Sequence, residues 1–223
     1  MNYDEISRFV VAQRSRDPRP MNAFCQSMLG LANAATELQR SEMSPAGKSL
    51  LMHLTVVHLV TVMECYFRAS VDAIVRLCKR EAFLPALGRF AKQKYSVQDI
   101  VELEARGLHV LQVIPRELSF QSLEQIANVF DQFFPAGFVK VLGRRQFRFK
   151  DNPDYVMQVN SKELSELSAL FEVRHEIVHN PSEASLLRAS GLAESHVDAV
   201  WCFVFCANAA IEEFIGENLR SPT

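Results

Sequence analysis

Apolar residues recur at helical spacing over long stretches of this chain, and the pattern predicts an all-α protein. "AFCQSMLGLANAATEL" (23–38) reads as a first helix that ends before the polar, proline-bearing "RSEMSPAG". A long second helix is expected from about 46 to 82, a length suited to a helical bundle. Shorter helical pieces follow around 84–93, 97–106 and 121–133, broken by Pro115 and Pro135. "FVKVLGRRQFRFK" (138–150) instead alternates apolar and basic residues on either side of Gly143, which predicts a small β-hairpin excursion from the bundle.

Capping signals punctuate the last third. Ser161 is placed to cap a helix that stops at about His179, because Asn180 precedes a proline and is biased away from α geometry. In "NPSE" (180–183), Asn180, Pro181 and Glu183 suit the N-cap, N1 and N3 positions of a short helix reaching Ser190–Gly191. "SHVD" (195–198) repeats the box before a long last helix from about 196 to 219. The expected organisation is a single helical domain over 1–223, with a helical extension over 1–45 and a bundle over 46–219.

Composition narrows the function classes. The chain has 223 residues, enough for one sizeable core, and a formal net charge of −2. That balance excludes a global basic field, so nucleic-acid binding would rest on a local patch. Five cysteines, an odd number in apolar surroundings, suit a reducing compartment. Cys202 and Cys206 stack at i, i+4, but no second pair completes a four-ligand zinc site. The N-terminal stretch has acidic residues, a very short apolar run and no small-residue cleavage site, so a cytoplasmic protein without a signal peptide is expected. "LLMHLTVVHLVTVMECYF" (50–67) approaches spanning length, but it carries His53, His58, two threonines and Glu64. It is expected to be a core helix, with no membrane partner.

The candidate chemistry lies in "FEVRHEIVHN" (171–180), which contains both His-Glu-x-x-His and Arg-x4-His. On a helical projection from Leu164, residues Leu167, Leu170, Phe171, Ile177 and Val178 share one apolar sector with Arg174 in its middle. A guanidinium there needs a carboxylate partner, a cleft or a subunit interface, and Glu64 of the second helix is the candidate partner. His175 and His179 lie together just off one edge, and Glu176 projects away from Arg174 toward solvent. The zinc parse makes His175 and His179 ligands and Glu176 the general base, with Glu194 and Asp198 supplying a third ligand and its support. Zinc proteases of that kind align substrate on a sheet, and this chain offers little strand. Acids at 194 and 198 also complement a helix dipole.

The string Arg174-His175-Glu176-Ile177-Val178-His179, with an acid-bearing apolar helix before it and a helix after it, resembles the Arg-x4-6-His motif of HEPN domains. The resemblance extends over about 45–219 and implies a helical bundle, commonly dimeric. Many such domains are metal-independent ribonucleases of toxin, antiviral or RNA-processing systems, and some are inactive. It implies Arg174 and His179 as the catalytic pair, His175 as the polar residue beside them, and Glu64 as the acid on an earlier helix. The expected function is therefore an endoribonuclease without cofactor or metal, with RNA as substrate and a second copy, an antitoxin or a sensor protein as partner. A non-catalytic HEPN-like dimerisation or RNA/nucleotide-binding module is the alternative, and a zinc-dependent hydrolase the third reading.

Imidazoles titrate near neutrality and can serve as base and acid when the 2′-hydroxyl attacks the adjacent phosphate, while arginine clamps the developing charge. Arg174 and His179 are about 140° apart around one helix. Convergence is therefore expected across a two-fold interface. In the plainer alternative Arg174 and Glu64 lock two helices, and both histidines are ordinary last-turn residues. Arg144, Arg145, Arg148 and Lys150, beside Phe147 and Phe149, form a candidate RNA-binding patch. Its plainer alternative is a hairpin whose phenylalanines pack on the bundle.

Overall fold

The computed structural model describes residues 19–90, 96–106, 113, 118–149, 152–179 and 193–220. Eight helices and one two-stranded sheet occur among them, so the architecture is an all-α bundle carrying a small hairpin. The helices are α1 (Pro20–Arg40), α2 (Pro45–Leu77), α3 (Arg80–Phe90), α4 (Val97–Ala105), α5 (Leu123–Phe130), α6 (Phe138–Gly143), α7 (Ser161–His179) and α8 (Ala193–Glu217). The hairpin, β1 (Phe147–Phe149) and β2 (Asn152–Met157), sits between α6 and α7.

The long helix α2 begins where its sequence says it should. Ser44 caps it by accepting from Gly47 N at 3.2 Å, and Pro45 follows, where its missing N–H costs nothing. The helix packs against α1, α7 and α8, and Met63, Phe67, Val71 and Ile74 are fully buried along it. Phe67 is the hub: its ring meets those of Tyr66, Phe120, Phe130, Phe138 and Phe203 at 5.1–6.5 Å. These contacts fix the rotation of α2, and with it the direction of every side chain on its other faces.

The continuous helix expected to 82 is interrupted at Cys78 and Lys79, and α3 starts afresh at Arg80. Residues 218–220 stitch the break. Arg220 donates from Nε to Cys78 O at 2.6 Å, from Nη2 to Val75 O at 2.8 Å and from its backbone N to Leu77 O at 3.0 Å. Lys79 N in turn donates to Asn218 O at 2.8 Å. The last carbonyls of α2 thus find tertiary partners, which is what a helix end requires.

The hairpin lies further along than the alternation suggested. Residues 138–143 are helical, and the strands pair across Phe149 and Asn152 instead of across Gly143. Phe138 and Leu142, four apart, both point into the core, and Asp131 accepts from Phe138 N at 2.6 Å to start the helix. Packing and a distant cap override a strand-like pattern here. In the strands Phe147 pairs with Met157 and Arg148 with Val156, and the register shifts before Phe149.

Helices Pro45–Leu77 and His196–Glu217 are long and apolar enough to cross a membrane; 44% and 50% of their most apolar windows are buried within this fold. The short helix expected from Asn180 to Gly191 lies outside the described residues.

Candidate active site

The helix that carries the motif runs from Ser161 to His179. Its cap is Asn160, one residue before the expected Ser161: Asn160 Oδ1 accepts from Lys162 N at 2.8 Å, and Glu163 reaches back to Asn160 N at 3.2 Å. Leu167, Leu170 and Phe171 are buried as the helical projection requires, with Leu164, Val173 and Ile177 packed beside them. Val178 departs from the expectation and is 46% exposed, because the last turn runs past the core. Glu176, expected toward solvent, is half-buried. The following helix α8 starts at Ala193, so Ser195 lies within its first turn instead of capping it.

Arg174 is half-buried, and α7 packs against α2 so that its guanidinium interacts electrostatically with Glu64. Burial pushes the Glu64 carboxyl above the usual carboxylate range, while Arg174 and then Arg68 pull it back. Arg68, four residues after Glu64 on α2, did not emerge from the motif reading. Its signal was the i, i+4 spacing of acid and base. Arg68 Nη2 also donates to Leu118 O at 3.4 Å. Glu64 Oε1, Arg68 Nε and Arg174 Nε are each sealed from solvent without a hydrogen-bond partner.

His175 and His179 stand exposed on the last turn with ring centroids 4.5 Å apart. Side by side they fit two ligands of one metal, yet among the described residues no group of three His, Cys, Asp or Glu side chains is arranged to hold a metal ion. Asp198 is exposed near the start of α8, and His196, two residues before it, faces Glu166 at 3.5 Å. Motif arginine, acid and histidines therefore cluster on α7 and the facing side of α2, with the arginine directed inward and the imidazoles outward.

The basic patch sits elsewhere. β2 ends at Met157, close before the start of α7, whereas His179 is about 27 Å further along that helix. Arg144 and Arg148 are exposed, and Arg148 donates to Gln146 at 3.3 Å. Arg145 is held in a salt bridge by Glu213 of α8. Phe147 packs on Phe205 at 5.1 Å, and Phe205 stacks on Trp201, so this ring is used in packing. Lys150 lies outside the described residues. A polar cleft of about 570 Å³, lined by Lys162, Glu163, Glu166, Asp198 and Cys202 among others, opens at this same end of α7.

Compared with family models, curated proteins and solved structures, the chain shows no match.

Proposed function

We propose that the protein is a metal-independent endoribonuclease of HEPN type, working as a homodimer in the cytoplasm with Arg174 and His179 of each subunit at a shared site. The observation that carries this reading is the placement of charge on α7. Arg174 acts electrostatically on Glu64 from within the bundle, while His175 and His179 are exposed with their rings adjacent.

In the reaction, the 2′-hydroxyl gives its proton to a neutral imidazole as its oxygen bonds to phosphorus. The bond from phosphorus to the 5′-oxygen breaks as a protonated imidazole of the second subunit hands a proton to that leaving oxygen. The products are a 2′,3′-cyclic phosphate and a free 5′-hydroxyl, so atoms and electrons balance without a cofactor. Arg174 holds the non-bridging oxygens through its planar fork. His175 keeps the local environment polar, and Arg144 and Arg148 meet RNA phosphates away from the reacting centre. An antitoxin or sensor protein is the class of partner that would restrain such a nuclease.

The test is RNA cleavage by purified dimer in excess EDTA, with wild type compared against His179→Ala and Arg174→Ala. Each substitution is expected to lower the rate by about 10²–10⁴, and the new ends to carry 2′,3′-cyclic phosphate. Activity lost to EDTA, or retained in both folded variants, refutes the proposal.

A second reading, a non-catalytic HEPN-like dimerisation or RNA-binding module, is favoured by one observation: Arg174 is drawn toward Glu64 within the bundle. It predicts a dimer that binds RNA and cleaves none.

A further inference from the structure

Glu64 faces two guanidinium groups, Arg174 from α7 and Arg68 from one turn further along α2. The carboxylate has lone pairs enough for both, yet one of its oxygens is engaged by neither. Its Oε1 makes no hydrogen bond, nor do Nε of Arg68 and Nε of Arg174, and all three atoms are sealed from water. A buried donor without an acceptor is destabilising, and more so when it is charged, so the cluster is poised for a better acceptor. Leu118 O offers Arg68 only a long contact of 3.4 Å. The cluster carries two fixed positive charges against one carboxylate whose ionised form burial disfavours. All three residues keep part of their surface exposed, so the cluster lies at the margin of the core.

We propose that Arg68 and Arg174 form a two-guanidinium cradle for a phosphate-type oxyanion, with Glu64 as an internal competitor that orients both forks until the oxyanion replaces it. A tetrahedral oxyanion offers several acceptor oxygens and meets each planar fork with two bonds, which Glu64 does for neither. Arg68 thereby joins the site as a binding residue, and Glu64 becomes a positioning residue. The inference rests on the reading above only for the identity of the oxyanion as an RNA phosphodiester. A free phosphate would satisfy the same cradle.

The experiment titrates the full chain with sodium phosphate by calorimetry, against sodium chloride at matched ionic strength. Wild type is expected to bind phosphate specifically. Arg68→Gln should weaken that binding about tenfold or more, and Glu64→Gln, which removes the competitor, should strengthen it severalfold. Circular dichroism checks that each variant folds. If Arg68→Gln does not fold, Arg68→Lys and Glu64→Gln carry the test. No phosphate effect beyond chloride, wild-type affinity in a folded Arg68→Gln, or unchanged or weaker binding in Glu64→Gln overturns the cradle. A 2′-O-methyl RNA oligonucleotide, which cannot be cleaved, then separates the sources. Competition with phosphate supports an RNA phosphodiester in the cradle; phosphate binding without competition supports the cradle with free phosphate and counts against the ribonuclease.

Discussion

Replacing Phe67 with alanine should be among the most damaging single changes in the protein. The side chain is fully buried and its ring touches five other aromatic rings drawn from α2, α5, α6, α8 and the segment before α5. Truncating a buried phenylalanine costs about 3–5 kcal/mol through lost transfer energy and the cavity left behind. Edge-to-face partners add about 0.5–1.5 kcal/mol per pair beyond area, which places Phe67→Ala at the top of that range, near 5 kcal/mol. For a chain of this length a urea slope of about 3 kcal/mol/M is expected, so the midpoint should fall by roughly 1.5 M. Urea titrations of wild type, Phe67→Ala and Phe134→Ala, followed by far-ultraviolet circular dichroism, give the comparison. Phe134 is 9% exposed and sits at the edge of the aromatic cluster, so its truncation should cost visibly less. A Phe67→Ala midpoint within about 0.5 M of wild type, or equal to that of Phe134→Ala, would refute the assignment of Phe67 as hub. The same residue sets the phase of α2, so the variant should also loosen the alignment of Glu64 and Arg68 with Arg174.

Two further outcomes follow from local structure. Asn160→Ala removes the side-chain oxygen that caps the motif helix and should cost about 1 kcal/mol in thermal unfolding, with Asn160→Asp close to wild type; equal melting of all three proteins contradicts the cap. Burial raises the Glu64 carboxyl above its ordinary value of 4.5, so the folded state holds that proton more tightly than the unfolded state. Stability from this group is therefore present at low pH and lost as pH climbs from about 4.5 through the raised folded value. Wild type should lose stability relative to Glu64→Gln across that window and run parallel to it beyond; a gain with rising pH contradicts the sign.

Much of this architecture was legible because the physics that fixes it is local. The apolar spacing of α1, α2 and α7 and the inward phase of Leu167, Leu170 and Arg174 all follow from the helical period. What escaped depends on residues distant in sequence. Nothing in "LCKRE" marks a helix break, since it lacks glycine and proline; the break is held by Arg220 and Asn218. The strand-like alternation at 138–143 gives way to a helix because Asp131 and the phenylalanine cluster meet it there. The candidate site divides in the same way. Arg174 beside Glu64 could be read from the cost of burying an unpaired guanidinium. The distance of the basic hairpin from His179 could not, because the path of the chain between them decides it.

The splice between residues 75–79 and 218–220 also imposes an order of events on folding. Cys78 and Arg220 are 142 positions apart, and closing a loop of that length costs about 4 kcal/mol by the logarithmic law for flexible chains. That cost is met only after the intervening helices have already drawn the ends together. A nascent chain that has not yet reached Asn218 lacks the hydrogen-bond partners that hold the end of α2 against the start of α3. The junction between those two helices is thus among the last parts of the molecule to set.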